Sequence, residues 1–310
     1  MILKKHIKTN NLLKSSDCKL IQLQFIPITK ERCPRRKYVL MQCGNQFIEN
    51  SIRAIHKYEK VEYFDTPLKG LKSIWMIPPH RQHLTYMKTY HRINSAKIVP
   101  YLWDSFFIEH QLEILSPVIK KRNIYEIKST SIVIMEPNLS ILKNCILPLN
   151  IVENFERKKP NQLSSCNVVG GRQLVDNHYF VRLILLMDIY TNKKDFLKVC
   201  NRMGFLEAIV SKGSIVISHQ LKNDLNYLYF DALYLSLPLI HNSQSISECG
   251  YFYPENDIDI ATKKLEFILV NHLKNINSYK QKVRALLKKY SPYNKSNIKI
   301  YSDLISESLE

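Results

Sequence analysis

The sequence predicts an α/β protein of two domains, the second a doubly wound parallel layer. Three observations predict it. Short β-branched runs recur along the chain, each followed by a turn and then by apolar residues at helical spacing. The clearest runs, residues 131–135 (SIVIM) and 214–218 (SIVIS), are apolar at every interior position, as strands covered on both faces are. The chain has 310 residues, which is long enough for two domains of ordinary size.

In order, strand candidates at 20–26 and 38–41 flank a basic stretch ending Arg35-Arg36-Lys37. The second strand ends at Gly44-Asn45, and a helix is expected over about 49–58. Residues 71–77 read as a strand cut off by Pro78-Pro79, 83–90 as a short helix and 97–102 as a further strand. The pattern lapses over 116–129, through Pro117 and Lys120-Lys121-Arg122, which reads as a domain linker. After SIVIM comes a helical stretch interrupted at Pro148, then a strand at 166–169 and a helix at 174–190. Strands at 196–200, 214–218, 238–241 and 251–253 alternate with a helix at 225–235. Helices at 258–275, 278–290 and 295–309 close the chain. The expected division is 1–118, 119–290 and a terminal helix, 291–310, returning to the first domain. Some six β-α units in the second half match a doubly wound nucleotide-binding domain.

Charge and cysteine usage narrow the classes. Lys and Arg number 45 against 27 Asp and Glu, a net +18. That excess favours a polyanionic partner, although a chain rich in Lys, Ile, Asn and Tyr also carries the stamp of an AT-rich genome. Basic clusters lie at Arg32/Arg35/Arg36/Lys37, Lys120/Lys121/Arg122, Arg157/Lys158/Lys159 and Lys282/Arg284/Lys288/Lys289. Each alone is an ordinary solvated face; several on one face would form a track for nucleic acid. The seven cysteines show no C-x-x-C spacing, which fits buried thiols in a reducing cytoplasm rather than a zinc ribbon. No apolar run is long enough to span a bilayer, and no signal peptide is visible.

Ligands of a doubly wound sheet bind beyond the carboxyl ends of its strands. Three such ends are dense in polar groups. Glu136-Pro137-Asn138 follows SIVIM, with Lys143 nearby. His219-Gln220 follows SIVIS, with Asn223, Asn226 and Tyr227 behind it. His241-Asn242-Ser243 follows 238–240, with Asp231 on the preceding helix. A His-Asn-Ser turn can offer backbone N–H groups, a hydroxyl and an imidazole to a phosphate. The same residues also serve as caps and turns. There is no G-x-G-x-x-G and no G-K-[ST], which disfavours hydride transfer and P-loop chemistry. Asp257-Ile258-Asp259 is a D-x-D, but it opens a helix, where carboxylates cap and complement the dipole. In the first half His80, after Pro78-Pro79, is the candidate general base for an acceptor hydroxyl.

The run N-Y-L-Y-F-D-A-L-Y-x-x-x-P-L-I-H-N-S at 226–243, with C-G-Y-F-Y-P-E-N-D at 249–257, resembles the C-terminal domain of GT-B glycosyltransferases. It is most similar to a branch found in bacteria and their viruses. I-M-E-P-N (134–138), S-H-Q (218–220), G-N (44–45), P-x-H (78–80) and V-P-Y-L-W (99–103) carry the likeness through most of the chain. The resemblance implies a GT-B-like α/β fold of two Rossmann-like domains facing a cleft, the N-terminal one trimmed, with a nucleotide-sugar donor, a UDP-sugar, in the second domain and no obligatory metal. It places His241, Asn242 and Ser243 toward the diphosphate and Asp231 near the ribose. Asn138, Lys143, His219, Gln220, Asn223, Asn226 and Tyr227 would complete the donor pocket, with His80 on the acceptor side. One departure is that residues 1–36 are short and contain no Gly.

The implied activity is therefore hexosyl or pentosyl transfer to an acceptor hydroxyl. The charge makes a hydroxylated base in viral DNA, such as 5-hydroxymethylcytosine, the leading acceptor. Arg35, Arg36, Lys37, Lys120, Lys121 and Arg122 would then bind nucleic acid. The alternatives are a cell-surface glycan acceptor, or a non-catalytic nucleic-acid-binding protein on the same scaffold.

Overall fold

The computed structural model describes residues 18–21, 37–55, 70–119 and 130–309. The chain divides into two compact units, Met1–Tyr101 with Lys295–Glu310, and Leu102–Asn294.

The first unit is built on a parallel sheet of β1 (Cys18–Ile21), β2 (Lys37–Gln42), β3 (Leu71–Met76) and β4 (Ala96–Ile98), in that order. Side chains alternate across a strand, and the two faces of this sheet show it. Tyr38, Leu40, Ile74 and Met76 pack with Met87 of helix Leu84–His91. Val39 and Trp75 point the other way, onto Tyr301 and Leu304 of helix Lys295–Leu309. Tyr301 also donates to the Pro100 carbonyl at 2.7 Å. Pro78 and Pro79 end β3 and open a 3-10 turn, Pro78–His83.

The second unit carries β5 (Ser131–Ile134), β6 (Ser165–Val169), β7 (Leu197–Cys200), β8 (Ile215–Ile217), β9 (Leu239–His241) and β10 (Tyr251–Phe252). All pairings are parallel, in the order β10-β9-β8-β5-β6-β7. The chain starts at β5, runs outward to β7, and returns to β8 on the other side of β5. That reversal is the topological switch point of a doubly wound sheet, where a crevice opens beyond the strand ends. β5 and β8 are buried at every position. Gly213, just before β8, is needed for a close approach: a Cβ there would lie 2.5 Å from the Ser131 carbonyl oxygen.

The elements differ from the expected ones where tertiary contacts intervene. The second unit begins at Leu102, and side chains early in it find their partners there. Trp103 stacks on Phe230, and Tyr234 donates to Glu109 on helix Phe106–Ile119. Neither that helix nor helix Phe205–Ser211 is announced by a local sequence pattern. Pro148 does not interrupt its helix; it sits in the first turn of Ile146–Lys158, where a missing N–H costs no bond. The helix expected at 174–190 is broken into Arg172–Leu174, His178–Ile184 and Asp188–Thr191. The buried Glu153 carboxylate accepts the backbone N–H groups of Asp188 and Ile189 and so starts the last piece afresh.

Candidate functional site

The polar groups gather where β5 and β8 end. Glu136 lies two residues past β5 and is 2% exposed. Its Oε1 accepts the Ser218 hydroxyl and, at 3.3 Å, the His219 backbone N–H, tying the β5 and β8 ends together across the switch point. Its Oε2 is buried without a hydrogen-bond partner. Burial pushes this carboxyl up to about 7, against the pull of the Ser218 bond, the Lys143 charge and the His219 N–H. Lys143 is half-buried on the same turn. Burial lowers its ammonium from the ordinary value, and Glu136 raises it again. The His219 ring stacks on Tyr253, with its Nδ1 2.9 Å from the Tyr253 hydroxyl, and burial pushes it down to about 4.

The turns after β8 and β9 are tied together by side-chain hydrogen bonds, with Asn223 Oδ1 and Asp224 Oδ1 left buried without a partner. The Asn242 carboxamide accepts from the Gln220 N–H at 2.9 Å and donates to the Gln220 carbonyl at 2.8 Å and the Glu255 carbonyl at 3.2 Å. Gln220 in turn accepts the Asn223 N–H through its side chain. His241 is 0% exposed. Its Nδ1 accepts the Ser243 N–H at 3.1 Å, which leaves Nε2 to donate to the Cys249 carbonyl at 2.8 Å. The Ser243 hydroxyl donates to the Asp224 carbonyl at 2.6 Å. Burial holds the imidazole down to about 4, so it is neutral at pH 7. Gly250 fits against it: a Cβ there would come within 2.9 Å of His241 Nε2, at a φ of +67°.

Several of the expected donor-site residues have partners inside the fold. His241 and Ser243, expected to face a diphosphate, have spent their side-chain groups holding the β9 turn. Asn138 sits at φ +53°, donates to the carbonyls of Glu136 and Gly170, and accepts the Cys145 N–H. It braces the loop that carries Lys143 and has no spare donor. Asn226 caps helix Tyr227–Tyr234 by accepting the Leu228 N–H. Asp231 accepts the Trp103 indole N–H at 2.9 Å, and burial raises its carboxyl to about 6. Tyr227 is exposed. The structure therefore brings Lys143, His219, Gln220, Asn223 and Asn242 together around the strand ends. Glu136, in sequence one member of a polar strand end with no role of its own, is the group whose burial and partners only the fold reveals.

His80 belongs to the first unit. It is buried, with Nε2 3.3 Å from the Cys43 carbonyl, and it pins the 3-10 turn to the loop after β2. Arg35, Arg36, Lys120, Lys121 and Arg122 lie outside the described residues, and Lys37 begins β2. The cluster at 157–159 is ion-paired throughout: Arg157 with Glu153 and Asp188, Lys158 with Asp259, Lys159 with Glu266. Asp257 caps helix Ile258–Asn271 by accepting the Ile260 N–H. Among the described residues no three His, Cys, Asp or Glu side chains are placed to share a metal ion. No described helix is long and apolar enough to cross a membrane.

This architecture is the GT-B fold. The UDP-forming α,α-trehalose-phosphate synthase of Burkholderia xenovorans superposes with a TM-score of 0.61 at 11% identity, over 94% of this chain and 73% of that one. WaaG, a glycosyltransferase involved in lipopolysaccharide biosynthesis, gives 0.59 at 9% identity, over 91% and 81%. The pneumococcal O-GlcNAc transferase GtfA, in complex with UDP and GlcNAc, gives 0.50 at 12%, over 94% and 57%. The chain belongs to the family described as a protein of unknown function, DUF2827, whose model matches residues 21–305. No curated protein matches it in sequence.

Proposed function

We propose that the protein is a glycosyltransferase that binds a nucleoside-diphosphate sugar beyond the carboxyl ends of β5 and β8 and passes the sugar to a hydroxyl of a saccharide acceptor. One observation carries it: at the switch point of the sheet, where this architecture opens its ligand crevice, a buried carboxyl with one unpartnered oxygen shares the loop after β5 with a half-buried lysine. Breaking the bond from anomeric carbon to diphosphate leaves negative charge on phosphate oxygens. The acceptor hydroxyl forms the new C–O bond and passes its proton to the released diphosphate. A fixed cation near the leaving group stabilises that charge, a role we give to Lys143. The Gln220–Asn242 pair holds the adjoining turns at fixed spacing.

The solved neighbours support a UDP-sugar donor, since one is UDP-forming and another was solved with UDP and GlcNAc. A saccharide acceptor is preferred to DNA because the basic cluster at 157–159 is neutralised by its own carboxylates. The test is thermal unfolding with UDP-glucose, GDP-mannose, CMP-sialic acid or none. A ligand at 100 times its Kd adds ~2.7 kcal/mol, a rise of several degrees in Tm. A rise with UDP-glucose alone is the expected result. No rise with any donor overturns the assignment. Donor turnover that collapses between 50 and 200 mM salt, and only with DNA present, would return the acceptor to nucleic acid.

A further inference from the structure

We propose that Glu136 and Lys143 form a proton-coupled clamp: when the Lys143 ammonium engages the donor's diphosphate, Glu136 takes one proton from solvent. This rests on the donor site proposed above and names how that site accommodates charge.

The geometry fixes where the proton goes. Glu136 Oε1 already accepts two hydrogens, from the Ser218 hydroxyl and the His219 N–H. Oε2 is buried and unpartnered, so it is the one position on the carboxyl open to a proton. The groups acting on or facing Glu136 are Lys143 and Cys145 from its own loop, Tyr229 from helix Tyr227–Tyr234, and Tyr253 with His219 beyond β10 and β8. Burial keeps the Cys145 thiol and both tyrosines protonated and neutral, and His219 deprotonated and neutral. Lys143 alone among them supplies positive charge. A diphosphate that draws this ammonium to itself removes the carboxylate's counter-charge and adds negative charge beside it. Both changes favour the protonated acid. Burial already holds the carboxyl at about 7, so a modest change of field tips it at neutral pH. Glu136 acts through Lys143 and is a positioning residue.

The test uses UDP-glucose, whose diphosphate diester keeps a constant charge over this range. Calorimetry at pH 7.5 in two buffers of different ionisation enthalpy counts protons. The wild type should take up a substantial fraction of one proton, and its Kd should weaken ~3–10-fold from pH 6.5 to 8.5, within the limit of tenfold per unit for one proton. E136Q should bind with no uptake and a flat profile. S218A, which removes one hydrogen bond from Oε1 and leaves the acid in place, should keep the uptake and shift the profile to higher pH. Binding without proton uptake in the wild type, or uptake unchanged in E136Q, overturns the clamp and leaves the donor site standing. Absence of binding at every pH removes both.

Discussion

Two turns of one sheet, separated by a single strand, carry opposite electrostatics. After β9, His241, Asn242 and Ser243 are buried, and every side-chain polar group finds a partner inside the fold. After β5, Glu136 keeps one oxygen without a partner, and Lys143 is half-buried beside it. Both turns are rich in polar residues at the carboxyl ends of parallel strands. The difference is that the first has closed its side-chain hydrogen bonds and the second leaves a carboxyl oxygen without one. A buried polar group that is satisfied stabilises the scaffold; one that is not marks a place where a ligand can finish the network.

The largest expected effects come from swapping the roles of these turns by mutation. Lys143→Ala should weaken UDP-glucose binding ~10–100-fold, the worth of a charge-assisted contact, while Tm stays within ~2 °C. His241→Ala should do the reverse. It opens a cavity and orphans the Ser243 N–H and the Cys249 carbonyl, a cost of ~3 kcal/mol. At ~2–4 °C per kcal/mol, Tm should fall ~6–12 °C, with the affinity of the folded fraction retained. Isothermal titration and thermal scans on both variants check the pair. A His241 variant that keeps its Tm and loses donor binding would erase the contrast.

The pH dependence of stability sharpens the same comparison. His241 titrates at about 4 folded against ~6.5 unfolded. Between those values the unfolded chain binds more protons, so stability is full above pH 6.5 and is lost as pH falls, by up to ~1.4 kcal/mol per unit. His219 adds in the same direction. Glu136 works against them: it titrates at about 7 folded and ~4.3 unfolded, so its share of stability is lost as pH rises through that window. The wild-type acid limb should therefore be shallow between pH 4.3 and 6.5. Glu136→Gln should steepen it, as followed by urea midpoints across that range. A limb unchanged by the substitution would place the titration on other groups.

The same contrast explains what was legible in the sequence. β5 and β8 were readable because SIVIM and SIVIS are apolar throughout, and only a strand covered on both faces needs that. The β-α alternation around them gave the doubly wound class and pointed to the strand ends as the place to look. Helix Phe205–Ser211 was hidden by its length, seven residues with too few turns to show a period. The break after Ile184 depends on Glu153, 35 residues from Asp188 in the chain, and no local pattern carries it. His241 looked like a phosphate ligand by residue type. Its partner, the Cys249 carbonyl, is fixed only when β9 and β10 pair. Glu136 and Lys143 were on view at 136 and 143, but that burial leaves the first without a partner is a property of the fold.

The smallest expected effect concerns Asp257-Ile258-Asp259, a spacing that in another setting holds a divalent cation on a donor diphosphate. Here the two carboxylates are engaged separately. Asp257 accepts the Ile260 N–H as an N-cap at 2.8 Å, and Asp259 pairs with Lys158 and accepts from Asn154. Losing an N-cap costs ~1 kcal/mol, so Asp257→Ala should lower Tm by ~2–4 °C. Donor affinity should not change, with or without added Mn²⁺, because neither carboxylate is spare to hold the ion. A Mn²⁺-dependent gain in UDP-glucose affinity that disappears in the Asp257 variant would show that the pair leaves its caps to bind metal.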